Sequence, residues 1–276
     1  MKRNGTFLSV IAIGVTIVLC TLWAFPLLWT MLTALKPEVQ AAAKPLIWLP
    51  KPITFEAFQA VLTQGNLVRW YGNSILTSTL ITVITLFLSL FAAYAFSRLQ
   101  FPGRQVLFWI TLAGFMLPFE ALLIPLFKLM NQLDQLNTVA GIVLPQLISP
   151  IAIFVFKQFF DQIPLEYSEA ARIDSAGEFS ILWKIYIPLS SNVIWAIAII
   201  IFIGAWNNFL WPFIVINSPD MMTVPLGLTQ VQDAYGLYYA RLMAAATLGA
   251  LPVIIAYLIF QKRVTEGFLS ATGVKG

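Results

Sequence analysis

Long apolar runs separated by short polar segments set the pattern of this chain. Six stretches, near residues 8–31, 71–97, 106–130, 138–160, 189–215 and 240–261, are almost wholly apolar. A helix needs about 20 such residues to cross a hydrocarbon core roughly 30 Å thick. Barrel strands would be about 10 residues long and would alternate apolar with polar side chains, whereas these runs are continuous, so their backbone must satisfy itself as helix. The pattern therefore predicts an all-α polytopic membrane protein with six transmembrane helices. Pro26, Pro118, Pro125, Pro145, Pro150, Pro212 and Pro252 fall inside the runs. Each removes a backbone donor and favours a kink. No internal repeat or low-complexity segment interrupts the pattern, which makes residues 1–276 a single membrane domain.

Composition agrees with the pattern: 59% of residues are hydrophobic, 10% are charged, and the mean hydropathy is +0.85. The opening Met1-Lys2-Arg3 resembles the start of a secretory signal, but the apolar run behind it is too long and has no small-residue cleavage site, so it reads as a retained span. Lys and Arg divide ten to six between alternate connecting segments. The richer set (Lys2, Arg3, Arg98, Arg104, Lys157, Arg172, Lys184, Lys262, Arg263 and Lys275) places both termini in the cytoplasm. The net charge of +4 follows from that excess and does not imply a nucleic-acid partner. The chain has no histidine and one cysteine, Cys20. An internal disulfide is impossible, and histidine-based metal binding or triad catalysis is excluded. No phosphate-cradling G-x-x-x-x-G-K-[ST] loop occurs. The chain thus has no catalytic or metal residue and no cofactor of its own, and any ATP would act on a separate subunit.

One polar island, residues 161–188 between the fourth and fifth runs, reads as a hairpin of two short helices. Pro164 suits a first helical position, and Glu166 and Glu169 lie early, where the helix dipole favours acids. That helix is expected to run to about Asp174. Ser175-Ala176-Gly177-Glu178 then matches a capping box that would open the second helix. Phe179, Leu182, Trp183 and Tyr186 are spaced as one apolar stripe, and Pro188 marks the return to the membrane. Ala170 and Ala171 leave low relief against which a partner could approach closely. Two readings stand at this point: a docking surface for another protein, or a solvated connection between spans.

Glu169-Ala170-Ala171, the glycine-bearing turn, and Ile185-x-x-Pro188 resemble the EAA loop of ABC importer permeases, whose pattern is E-A-A-x3-G-x9-I-x-L-P. Ser175 stands at the family glycine and Ile187 at the leucine. A serine enters the left-handed backbone region less cheaply than glycine, so the turn is expected to rest on the Ser175 capping box, the alternative being that Gly177 supplies the flexibility. Further segments are similar to the carbohydrate-importer branch of the maltose and glycerol-phosphate type. They include Leu35-Lys36-Pro37, Ala93 to Arg98 with Phe101 to Arg104, Met116-Leu117-Pro118, Ile124-Pro125-Leu126, Trp206 to Pro212, Thr223 to Leu228, and the tail from Phe260 to Gly276. The resemblance implies a permease subunit in the inner membrane that works with a second permease, a pair of ATPase subunits holding ATP and Mg, and an extracytoplasmic substrate-binding protein, for import of a sugar, oligosaccharide or polyol. It also implies that Glu169, Ala170, Ala171, Asp174, Ser175, Gly177, Ile185 and Pro188 couple the chain to the ATPase.

Within the spans, Glu120 is costly to expose to lipid and should face protein or water. It reads as a path residue for sugar hydroxyls, as a proton-relay acid of a self-sufficient secondary carrier, or as a carboxyl satisfied by a neighbouring helix. Trp206, Asn207 and Asn208 have the ring and amide groups that could line a sugar path, with interhelical hydrogen bonding as the alternative for the asparagines. Trp29, Trp109 and Trp195 near span ends suit interfacial anchoring. On the opposite side, a short helix beginning at Thr54 should present Phe55, Phe58 and Leu62, and the loop from Asn217 to Tyr239 (Gln230, Gln232, Asp233, Tyr235, Tyr238) has groups suited to a gate or docking surface.

Overall fold

The computed structural model describes the backbone at residues 3–64, 66–231 and 238–272. Lys2, Gln232, Asp233, Tyr235 and the tail from Gly273 to Gly276 lie outside the described residues. All regular structure among them is helical. Three helices contain continuous stretches long and apolar enough to cross a membrane: α1 (Arg3–Ala34), through Ile11–Ala34; α4 (Leu67–Arg98), over its whole length; and α15 (Tyr239–Thr272), through Tyr239–Lys262. Short helices α2 (Glu38–Ala41) and α3 (Glu56–Gln64) lie between the first two.

The other three apolar runs are bent. Helix α5 (Arg104–Ala113) and its 3₁₀ extension meet α6 (Phe119–Gln132) at 99°. Pro118 causes this break: Leu117 before it is extended, φ −81° and ψ 118°, as a residue preceding proline favours. Helix α7 (Val139–Val143), continued by a 3₁₀ turn to Gln146, meets α8 (Pro150–Gln162) at 48°. The Ser149 side chain caps the start of α8, with Pro150 at the first helical position. The segment Glu178–Leu189 meets α12 (Ser191–Trp206) at 82°, and α13 (Leu210–Val215) and the short α14 (Val224–Gly227) are separate helices. The run expected over 189–215 is therefore two helices, divided at Asn207–Phe209. The third and fifth runs are not single straight rods, because proline and turn residues leave backbone groups that cannot continue the helical ladder.

By compactness the chain divides into two units, residues 1–68 with 227–251 and residues 69–226 with 252–276. In the first unit, the Glu38 carboxylate accepts from the Ala240 N–H at the start of α15 (3.1 and 3.2 Å), an acid at the positive end of a helix. The Lys36 ammonium lies 4.2 Å from the centre of the Trp29 ring. Thr54 Oγ1 accepts from Glu56 N–H, opening α3 two residues later than expected. The buried residues of α3 are Ala57 and Val61, not Phe55 and Leu62, which stay exposed.

In the second unit, the beginning of α4 is tied to the 217–224 loop. Trp70 Nε1 donates to Pro219 O, Asn73 Nδ2 donates to Asp220 O and Met222 O, and Arg69 pairs with Asp220. Gly141 is packed so closely that an added Cβ would lie 2.0 Å from the Gln135 carbonyl oxygen. Trp211, fully buried, donates from Nε1 to Gly141 O at 2.9 Å. At the other end of α4, an apolar cluster of Leu90, Ala93, Tyr94, Phe156, Phe160, Ile181, Leu182, Tyr186 and Val193 joins α4, α8, the hairpin and α12.

Candidate functional site

The polar island folds as a helical hairpin. Its first helix, α9 (Glu166–Ile173), is short because Pro164 and Leu165 remain outside it. The turn that follows differs from the capping box expected at Ser175. Ser175 itself adopts the left-handed conformation, φ 60°. Its N–H donates to Arg172 O at 2.9 Å and the Ala176 N–H donates to Ala171 O at 2.9 Å. These two bonds define a Schellman ending, in which the residue after the cap is left-handed and glycine is preferred. Ala171 and Ala176, the pair whose contact accompanies that motif, both pack on the apolar cluster. Gly177 is extended (φ −73°, ψ 159°) and caps α10 (Glu178–Ile181) without a side-chain bond. Neither expected device forms the turn: a serine occupies the glycine position in the conformation glycine would take.

Glu178 also departs from its expected role. Its Oε1 accepts from Arg172 Nε at 2.8 Å, bridging the two arms of the hairpin, and its Oε2 accepts from the Tyr94 hydroxyl at 2.5 Å. The Arg172 guanidinium holds the Glu178 carboxyl below the usual carboxylate range, with the Tyr94 bond adding in the same direction. The Arg172 guanidinium is in turn held more firmly protonated.

After α10 the chain makes a π-turn over Leu182–Tyr186 and then α11 (Ile187–Leu189). The wider turn changes the helical register. Ile181, Leu182 and Tyr186 are buried, while Phe179 and Trp183, assigned to the same stripe by simple spacing, are 64% and 50% exposed and stack on each other at 5.9 Å.

Anchorage of the hairpin comes from the last turn of α4. Arg98 Nη2 donates to the carbonyls of Phe160 and Ile163, the latter at 2.6 Å, at the end of α8. Its guanidinium carbon lies 5.2 Å from the centre of the Tyr186 ring. Ser97 donates to Asp161, which also pairs with Lys157. The rings of Tyr94, Phe160 and Tyr186 meet edge to face, with centroids 5.1–6.4 Å apart. Ser168 is fully buried at the back of α9 and Tyr186 lies beneath it. Outward, α9 presents Tyr167, Glu169, Ala170 and Ile173, the last 84% exposed. Asp174, Ser175, Gly177 and Pro188 are also exposed, and Ile185 is half-buried against the cluster. The arrangement is a thin ridge with small and charged groups outward and a firm aromatic base inward.

Sequence reading did not mark Tyr94, Arg98, Ser168 or Ile173 as functional candidates. The signal for the first two was their place one helical turn apart at the end of a span, and for Ile173 a large apolar residue at the end of a charged helix.

The residues considered for a solute path do not form one cluster. Glu120 is exposed in the first turn of α6, just past the break at Pro118. Asn207 is also exposed. Asn208 donates to Gln146 Oε1 and accepts from the Trp211 N–H, bridging α12, α13 and the end of the α7 segment. Trp206 is buried and packs beside Tyr71 and Phe202. Among the described residues, no group of three acidic or thiol side chains could hold a metal ion.

Residues 85–268 match the family described as binding-protein-dependent transport system inner membrane component. The chain is 38% identical over 255 residues to the arabinooligosaccharides transport system permease protein AraQ of Halalkalibacterium halodurans, covering 91% of each chain. The AraQ protein of Bacillus subtilis is 35% identical over 282 residues and the full length of both. The sn-glycerol-3-phosphate transport system permease protein UgpE of Brucella abortus is 32% identical, with 94% of each chain covered. Among solved structures, a bacterial ABC transporter involved in the import of the acidic polysaccharide alginate contains a chain with the same fold, at a TM-score of 0.85 and 23% identity over 94% of this chain and 97% of that one.

Proposed function

Because the chain belongs to the family of binding-protein-dependent transport system inner membrane components, we propose that residues 161–188 are the surface through which a partner ATPase drives it. The observation that carries this reading is the exposed α9 ridge set on a rigid base: Glu169, Ala170 and Ile173 face outward while Ser168, Ala171 and Tyr186 lock the same element to α4 and α8. A helix with small outward residues admits close approach, and a base without slack transmits displacement. Glu169, Ala170, Ala171 and Asp174 would form the contact. Ser175 and Gly177 would shape the turn, and Ile185 and Pro188 would lead into α12.

In this account α5 with α6, α7 with α8, and α12 with α13 each serve as one span, giving six, with the 161–188 hairpin outside the membrane and both termini in the cytoplasm, where the Lys and Arg excess lies. A second permease completes the path, the ATPase pair holds ATP and Mg, and an extracytoplasmic substrate-binding protein delivers the solute. The relatives' names support a sugar, oligosaccharide or related polyol as cargo. Glu120 and Asn207, exposed in this chain, are the path candidates, while Trp206 and Asn208 brace the wall behind. Family membership supports this importer over a carrier driven by protons through Glu120.

Tagged purification of the chain from its own cells in mild detergent tests the proposal. Recovery of an ATPase and a second permease is the expected result. A chain that purifies alone and transports after reconstitution would overturn it.

A further inference from the structure

We infer that Tyr94 is a positioning residue for energy coupling, its hydroxyl pinning the turn of the hairpin to membrane helix α4 through the Glu178 carboxylate. The inference rests on the reading of 161–188 as the ATPase-driven element and names how the motion leaves it.

Three observations converge on this one atom. First, the Tyr94 ring is buried, held edge to face between Phe160 and Tyr186, so the hydroxyl has a fixed origin inside the apolar cluster. Phenylalanine would fill that packing role equally well. Second, the hydroxyl donates at 2.5 Å to Glu178 Oε2, a length typical of a bond to an ionised acceptor. Third, the same carboxylate is gripped by Arg172 from α9. Glu178 is therefore shared between the moving hairpin and a membrane helix. Apolar contact between the two resists separation but allows sliding, whereas a short directional bond fixes register. Arg98, one turn further along α4, holds the entry to the hairpin through the Phe160 and Ile163 carbonyls. The last turn of α4 thus grips the hairpin at its entry and at its inner turn.

The test uses the complete transporter, with its partner permease, ATPase and binding protein, in proteoliposomes, and reads solute taken up per ATP hydrolysed. Tyr94→Phe assembles normally and lowers that ratio about tenfold, as expected for losing a charge-assisted bond. In a Glu178→Ala background, where the acceptor is gone, the same substitution changes the ratio less than twofold. A Tyr94→Phe complex with the wild-type ratio, or full multiplication of the two effects, overturns the inference. So does a Tyr94→Phe complex that fails to assemble while Glu178→Ala retains its ratio. Glu169→Lys separates the two levels of the argument: normal coupling there removes the hairpin reading itself, whereas loss of coupling there with an unaffected Tyr94→Phe removes only the pin.

Discussion

Ser175 offers a direct test of the structural reasoning, because the left-handed turn and the capping box predict opposite rankings of substitutions. A residue with a Cβ in the left-handed region costs about 1–2 kcal/mol, and glycine gives back about 0.5–1 kcal/mol of that through its greater unfolded freedom. Ser175→Gly should therefore strengthen the turn by about 0.5–1 kcal/mol. Ser175 is exposed and the bonds that close the turn are backbone ones, so Ser175→Ala should lie within about 0.5 kcal/mol of the wild type, as surface substitutions do. Ser175→Val, β-branched at a position with φ 60°, should weaken the turn by about 1 kcal/mol or more. Hydrogen exchange of the Ser175 and Ala176 amides, the two donors of the turn, reads these changes locally. At a factor of ten per 1.4 kcal/mol, exchange should slow by about two- to fivefold for Gly, hold for Ala, and accelerate about fivefold for Val. Exchange that accelerates for Ala as much as for Val would refute the left-handed turn and restore the capping role of the hydroxyl.

Other substitutions test the anchorage and the packing. Arg98→Met should lower thermal stability of the purified complex by about 2–4 kcal/mol, because it strands the carbonyls at the end of α8 without their donor; a melting curve unchanged from wild type would count against the anchor. Gly141→Ala should cost about 1–3 kcal/mol, since its Cβ would meet the Gln135 oxygen at 2.0 Å, and thermal unfolding in detergent measures it. The Arg172–Glu178 pair sets a pH dependence. Glu178 titrates below its ordinary value in the folded hairpin, so its contribution is complete above the unfolded pKa near 4.3 and is lost as pH falls through the folded value. Protease resistance of the hairpin should be flat from pH 7 to about 5 and decline below about 4. With the Glu178 side chain 42% exposed, solvent screening limits the contribution to less than about 1 kcal/mol. Glu178→Gln should flatten the profile.

The all-helical membrane fold and the place of the hairpin were legible because both depend on features local to the chain: unbroken apolar length, and a charged segment with helix formers between two such lengths. Breaks in the spans were less legible. Pro118 ends one helix and Pro125 and Pro252 sit inside others, and nothing in a proline itself distinguishes a 99° break from a tolerated kink; neighbouring packing decides. At Ser175 the sequence suggested a familiar local device, a serine followed three residues on by a glutamate. Other interactions overrode it, because Arg172 and Tyr94 claim the Glu178 carboxylate and Ala171 and Ala176 both pack on the apolar cluster while the Ala176 N–H to Ala171 O bond closes the Schellman ending. The stripe over 179–186 failed for a related reason: a π-turn over Leu182–Tyr186 interrupts the 3.6-residue period, and the buried face carries Ile181, Leu182 and Tyr186 while Phe179 and Trp183 stay exposed. Period arguments assume regular helix and cannot register that interruption. Asn208, by contrast, resolved to interhelical bonding, the alternative that general membrane-helix chemistry had offered.

The central claim is that an ATPase drives this permease through the α9 ridge, and reversing the charge at Glu169 in the reconstituted transporter tests it most directly. Uptake and binding-protein-stimulated ATP hydrolysis should be measured on the same vesicles. The account predicts that Glu169→Lys inserts in the membrane at wild-type levels while uptake collapses and hydrolysis no longer responds to the loaded binding protein. Normal uptake with normally stimulated hydrolysis would contradict it.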